Sequence, residues 1–435
     1  MPERLVEALP PRVRLLHIGP PKTGTTALQA AGSASRAALL EHGVRYPGKG
    51  FNHRAAIAAF LGRGLWFQAS TDGTPPPKPE RKPWDDLLAE IEADERNRIW
   101  FGHEYAAGAT AEQIAQLADL LGERLHVVLT LRGVTRILPS VWQQANKEGG
   151  RGTYDTWLQN RPFDGEHLGM PHRLRHEQGE LVQRWADVVG PERMTAVIPD
   201  PADHTFIYRA FEDLLDLPPG LLVNAPAPPD YSNRSLTLPE IELIRQYNIQ
   251  FRELGISMPD YNLLMGKGAI QRLTGHRRPP EGEPRLTMPD WAADKADAVA
   301  RRNADLVAAS GIRLVGDPEL LAVPAVRRKA EDPVHEAFTQ VPVDLATTAL
   351  LGATLAGSKV NAELAAAKQL AKERAEQLAA AKAKAGKLAA EIERLKSEPY
   401  RMSQLPKYRG LDLLKELARR VRNRIIPKRK AREPK

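Results

Sequence analysis

Val13-Arg-Leu-Leu-His-Ile18, running into Gly19-Pro-Pro-Lys-Thr-Gly-Thr-Thr26, reads as a short buried strand entering a loop. The stretch after it, Ala27-Leu-Gln-Ala-Ala-Gly-Ser-Ala-Ser-Arg-Ala-Ala-Leu-Leu-Glu-His-Gly43, has helical composition and stops at a glycine. Strand, loop and helix in that order open a nucleotide-binding α/β unit. The same alternation continues outward. Arg98–Phe101, His126–Leu131 and Met194–Ile198 are further apolar strand candidates, and Ile312–Val315 is a candidate closing strand. Trp84–Arg96, Ala111–Leu121 and Leu181–Val189 carry helical periodicity between them. Alternating strands and helices predict an α/β fold with a mostly parallel sheet flanked by helices. Gln68–Pro83 and Gly149–Gln178 are expected to be loops or surface excursions.

Composition narrows the class. The chain has 435 residues, 42% of them hydrophobic, and no cysteine, so disulfides, thiolate metal sites and a cysteine nucleophile are excluded. The N-terminus lacks the apolar stretch of a signal peptide, and no apolar run approaches the roughly 20 residues of a membrane span. The expected location is cytoplasmic. The formal net charge is +8, but residues 401–435 hold thirteen Lys/Arg against Asp412, Glu416 and Glu433, a net of +10. The rest of the chain is therefore near −2, which argues against a globular nucleic-acid-binding body and for a local anionic partner at the tail.

The loop carries chemistry. Backbone amides at a helix N-terminus, with the helix dipole behind them, favour an anion. Gly24 permits close approach of backbone to a phosphate, Thr23, Thr25 and Thr26 add hydroxyl donors, and Lys22 adds a point charge. The nucleoside-triphosphate loop places its lysine after the second glycine. Here Lys22 precedes Gly24, and no neighbouring acid clearly supplies a magnesium ligand. The loop is suited to an anion without a metal.

Pro21-Lys-Thr-Gly-Thr-Thr26 resembles the 5′-phosphosulfate-binding loop of sulfotransferases that use 3′-phosphoadenosine 5′-phosphosulfate (PAPS). Arg132-Gly-Val-Thr-Arg-Ile-Leu-Pro-Ser140 resembles that family's 3′-phosphate grip, a strand-end arginine with a serine on the next helix. The resemblance implies a P-loop-like domain over residues 13–324, in which Lys22, Thr23, Gly24, Thr25, Thr26, Arg132 and Ser140 bind PAPS without a metal. It further implies a general base at the end of the strand that precedes the arginine strand. His103 stands there in Gly102-His-Glu-Tyr, adjacent Glu104 is the competing candidate, and His53 is a third. Lys22 would also act catalytically, on the leaving phosphate. Asn233-Arg-Ser-Leu-Thr-Leu-Pro-Glu-Ile-Glu-Leu-Ile-Arg245 resembles a segment of bacterial members. The family's glycine-rich third motif is absent, Gly266-Lys-Gly268 being a poor match. That departure favours a carbohydrate or glycolipid acceptor over a small phenol and leaves the adenine contacts undefined. Trp142, Gln143, Lys147, Tyr154, His172 and Arg175 are candidate acceptor contacts. The competing functions are a P-loop kinase-like phosphotransferase and a non-catalytic membrane-associated scaffold.

Residues 1–12 read as an N-terminal tail and 325–358 as a linker. Residues 359–397 read as an Ala/Lys/Glu-rich helix with weak coiled-coil character, and 398–435 as a basic amphipathic tail. In the helix, Leu364, Leu378 and Ile392 share one heptad position and Leu388 and Leu395 another, with Arg374 interrupting; self-association through 359–397 is one expectation. In the tail, Leu411, Leu414, Leu417, Val421 and Ile425 recur at helical spacing with Lys415, Arg419, Arg420, Arg422 and Arg424 interleaved. Such a helix suits an anionic membrane surface on the cytoplasmic face. Nucleic acid or an acidic protein would also answer the charge, although no nucleic-acid partner is expected.

Overall fold

The structure is a computed structural model that describes residues 4–64, 78–160, 177–226, 234–333, 338, 340–397 and 410–425. Most of the expected loop at Gln68–Pro83, most of the excursion at Gly149–Gln178 with His172 and Arg175, Asn233, and both flanks of the tail helix lie outside the described residues. The chain divides into two units, Met1–Lys359 and Val360–Lys435.

The first unit is built on six strands: β1 Arg14–Ile18, β2 Val44–Arg45, β3 Arg98–Gly102, β4 Leu125–Thr130, β5 Met194–Val197 and β6 Arg313–Val315. Their order is β2-β3-β1-β4-β5-β6, and every neighbouring pair is parallel. The two-residue β2 is too short to leave a periodic signal in the sequence. The helices between strands are α1 Thr25–Ala34, α2 Arg36–Glu41, α3 Arg54–Phe60, α4 Lys82–Ala93, α5 Ala111–Leu121, α6 Val134–Lys147, α7 Tyr154–Gln159, α8 Gln178–Val189 and α9 Phe206–Leu215. The single helix expected up to Gly43 is broken at Ser35 into α1 and α2.

Strand alternation sorts the core into two layers. Leu16, Ile18, Ile99, Phe101, Val127, Leu129, Met194 and Ala196 face α3, α4, α5 and α8. Leu15, Trp100, Val128 and Val197 face the other way, onto Leu28 of α1 and Phe211 and Leu214 of α9. A parallel sheet needs both faces covered because its strands are apolar on both. The chain leaves β1 toward β2 and β3 on one side and leaves β4 toward β5 and β6 on the other. The carboxyl ends of β1 and β4 therefore flank the switch point, where sheets of this kind open a crevice.

A third apolar cluster is helical. α6 and α7 pack with α10 Leu238–Glu253, α11 Met258–Tyr261, the π-helical Asn262–Ile270, α12 Gln271–His276 and α13 Asp290–Ala308, around Trp142, Tyr154, Phe251 and Tyr261. The start of α10 follows directly from Thr237-Leu-Pro-Glu240, a capping box in which side chains and amides satisfy one another.

The expected linker at 325–358 is instead largely folded. Arg328 grips Asp155 with two bonds of 2.6 Å, and helix α14 runs Val343–Ser397, beginning well before residue 359. Its first turns belong to the first unit: Leu345 is fully buried, and Gly352 meets Gly268 so closely that a Cβ on either would strike the other's backbone. Only the point of contact, Gly352, demands a small residue, since a Cβ there would strike the Gly268 backbone. In the second unit, Leu364, Leu378, Leu388 and Ile392 are about half exposed. There too is α15, Gly410–Ile425. Among the described residues no helix is long and apolar enough to cross a membrane.

Arg277 anchors α14. Its guanidinium is buried and binds Glu240 at 3.0 Å, Glu283 at 2.7 Å and Asp344 at 2.8 Å. Arg234 adds a second fork to Glu240 at 2.7 Å. Breaking a buried pair costs more than the pair contributes, because the abandoned charge stays in a dry site. Arg277→Ala strands Glu283 and part of Glu240 and is expected to lower unfolding free energy by about 3–5 kcal/mol. The midpoint of a urea transition checks this; an unchanged midpoint would show that water reaches the network.

Candidate functional site

The loop after β1 is held open by backbone constraint. Gly24 has φ +98° and is the N-cap of α1, and a Cβ there would overlap Ile207. Lys22 itself has φ +74°, a left-handed conformation that non-glycine residues rarely hold without functional reason. Thr23 is turned inward, its hydroxyl 2.8 Å from the Pro20 carbonyl and 2.9 Å from the Thr130 hydroxyl at the end of β4. Thr25 and Thr26 occupy the first turn of α1, whose amides have no intrahelical acceptor.

The loop after β4 is fixed by a neighbour in place of a strand. The Gln178 side chain accepts from the Arg132 amide at 3.1 Å and donates to the Arg132 carbonyl at 2.7 Å. The Arg132 side chain then reaches back and donates to the Lys22 carbonyl at 3.2 Å. The Lys22 ammonium in turn donates to Gln144 Oε1 on α6 at 2.8 Å. The two candidate anion grips thus lie side by side at the carboxyl ends of β1 and β4. Ser140 lies one turn before Gln144 on α6 and shares its face, with its hydroxyl bonded to the Arg136 carbonyl at 3.2 Å.

The third loop, after β3, brings Glu104 to the same place. Thr25 Oγ1 donates to Glu104 Oε2 at 3.2 Å, so the carboxylate sits at the mouth of the anion loop. His103 is buried, and its Nδ1 accepts from the Tyr105 amide at 3.2 Å. The neutral ring therefore carries its proton on Nε2. Burial, followed by Arg54, His53 and His17, pulls His103 down to about 3. His53 is also buried. Its Nε2 meets the Pro47 carbonyl at 3.0 Å and its Nδ1 accepts from the Gly102 amide at 3.3 Å, so both nitrogens are spent on main chain. Burial pulls it down to about 4.

The crevice is electropositive. Burial, then the nearby Arg136, lower the Arg132 pKa. Lys147, at the last turn of α6, is pulled down to about 8 by burial, then by Lys22 and Arg234. Sequence reasoning overlooked Gln144, Arg136 and Gln178; only the repeat of α6 positions one turn apart, Arg136, Ser140 and Gln144, signals two of them.

Of the acceptor candidates, Lys147 is within electrostatic reach of Lys22, whereas three others build the scaffold. Trp142 is fully buried, with Nε1 donating to the Gly152 carbonyl at 3.1 Å. Gln143 clamps the Leu236 amide and carbonyl, both at 3.0 Å, and Tyr154 is fully buried. The segment from Arg234 to Arg245 supports the site from behind. Besides the Leu236 clamp, Asn248 of the same helix donates to the Asn146 carbonyl at 2.7 Å and the Gly150 carbonyl at 2.6 Å. Tyr261 donates to the carbonyls of Asn146 and Lys147, so the exposed end of α6 is capped. Gly266-Lys-Gly268 lies in the π-helix, where Gly268 contacts α14, and forms no part of the crevice surface built by the three loops.

No protein-family model matches the chain, and no curated protein matches it. Among solved structures, it is similar to a sulfotransferase from Alicyclobacillus acidocaldarius, with a TM-score of 0.35 and 11% identity over 57% of this chain and 98% of that one. A likeness at that level assigns no role to any residue.

Gly24→Ala tests the loop geometry. The positive φ and the overlap with Ile207 together are expected to cost about 1–3 kcal/mol. Adding Ile207→Val relieves the overlap but leaves the backbone strain, so the double variant should recover only part of the loss in a denaturation series. Full recovery would mean that crowding alone demands glycine.

Proposed function

We propose that the chain transfers a sulfuryl group from PAPS to a hydroxyl or amine of a carbohydrate or glycolipid acceptor. The observation that carries this reading is the bond from Arg132 to the Lys22 carbonyl at 3.2 Å, which joins two separated anion grips across the ends of adjacent strands. A doubly phosphorylated adenosine needs two such grips; a nucleoside triphosphate needs only the first.

The residues then divide the work. The amides of Thr25 and Thr26, with Gly24, take the 5′-phosphosulfate at the helix N-terminus. Arg132, with Ser140 on α6, takes the 3′-phosphate, the guanidinium matching it as a fork. Lys22 shifts from Gln144 to the bridging oxygen and stabilises the charge that develops on the leaving 5′-phosphate. Glu104 is the base. It is the one candidate of the three whose acceptor oxygen faces the anion loop, whereas His103 presents N–H and His53 faces main chain. The acceptor oxygen attacks sulfur, the bond from sulfur to the phosphate oxygen breaks, and the acceptor proton passes to Glu104. Lys147 holds an anionic group of a bound substrate. The lack of the glycine-rich third motif supports the carbohydrate or glycolipid branch.

Three measurements test this. The product nucleotide, 3′-phosphoadenosine 5′-phosphate, should bind without magnesium and far better than AMP. Arg132→Ala should remove about 10- to 100-fold of that preference, the worth of a charge-assisted bond, while leaving AMP binding nearly unchanged. Preference for magnesium-ATP would overturn the reading. Glu104→Gln should lower kcat by roughly 10²- to 10⁴-fold with product-nucleotide binding intact, and His103→Asn should not match it. Lys147 is charged below its depressed pKa and neutral above it. Substrate affinity should therefore weaken as pH rises through about 8, and Lys147→Arg, which stays charged, should flatten that profile.

A further inference from the structure

Helix α15 has a divided surface. Leu414, Leu417 and Val421 are 72%, 52% and 51% exposed, and they fall on one side of the helix together with the positions of Leu411 and Ile425. The positions of Lys415 and Arg422 border that side on one margin, and those of Arg420 and Arg424 border it on the other. Glu416 lies on the opposite side, paired with Arg419 at 3.3 Å and Arg420 at 3.3 Å. From Gly410 to Ile425 there are five Lys/Arg against Asp412 and Glu416, a net of +3, and residues 401–435 reach +10.

We propose that α15 lies flat on the anionic surface of a lipid bilayer, its leucine and valine side chains among the acyl chains and its basic margins at the phosphate level. The pairing of an apolar stripe with cationic borders selects this occupant. Nucleic acid answers the arginines but leaves Leu414, Leu417 and Val421 in water. A second copy of α15 covers the leucines but sets two helices of net charge +3 against each other, with no acidic margin to complement them. An anionic interface satisfies both parts at once, because long basic side chains bury their stems and keep their charged ends at the headgroups.

Sedimentation of the full-length protein with vesicles tests it. The protein should pellet with phosphatidylcholine vesicles containing phosphatidylglycerol and stay in solution with phosphatidylcholine alone, and added salt should release it. The triple variant Leu414→Gln, Leu417→Gln, Val421→Gln keeps every charge and should bind at least tenfold more weakly. Lys415→Gln, Arg419→Gln, Arg420→Gln keeps the stripe and should weaken binding by tenfold or more. The thermal transition of the first unit should not move in either. Vesicle binding unchanged by either variant overturns the proposal. So does tighter binding to duplex DNA that survives the leucine substitutions, or a wild-type dimer in sedimentation velocity that those substitutions dissolve.

Discussion

The contact between the ends of β1 and β4 is the constraint on which the rest of the first unit depends. Two loops, each carrying one cation, Lys22 and Arg132, approach within hydrogen-bonding distance. The fold solves this with neutral and partial charges. The Lys22 carbonyl receives Arg132, the Gln144 carbonyl oxygen receives Lys22, and the hydroxyls of Thr23 and Thr130 join the strand ends beneath them. Each of these cations thus donates to a neutral oxygen.

Such a site demands a rigid support, and α6 supplies it. Gln143 pairs with the main chain at Leu236 as a strand would, while Asn248 and Tyr261 close the carbonyl end of the helix. The helical cluster therefore has a purpose beyond bulk. It sets the rotation of α6 about its axis and so decides that Gln144 turns toward Lys22 while Trp142 and Gln143 turn into the core. The Arg277 network connects that cluster to the first turns of α14 through Asp344.

The surroundings of His103 and Glu104 show how a sequence motif and a geometry differ in content. Gly102-His103-Glu104 presents two adjacent candidates, and the resemblance puts the histidine first. In the structure the chain turns into a short 3₁₀ helix at Glu104, and that turn buries His103 against the Tyr105 amide while leaving Glu104 beside Thr25. Which of two neighbours meets Thr25 depends on one backbone turn, and side-chain identity does not reveal it. The same holds for His53, whose ring is consumed by two main-chain groups, the nearby Pro47 carbonyl and the Gly102 amide at the end of β3.

Local sequence determined the parts whose physics is local. Strand alternation, the capping box at Thr237, the glycine at position 24 and the amphipathic spacing of residues 411–425 are all written in neighbouring residues, because each expresses a short-range rule of backbone and period. It placed five of the six strands to within a residue or two and missed the two-residue β2. Tertiary structure decided the strand order, the clamping of Arg132 by Gln178, the reach of Gln144 to Lys22 and the early start of α14 against the Gly268–Gly352 contact. Those features join residues far apart in the chain. A glutamine that holds a lysine carries no mark of that duty until folding brings the two together.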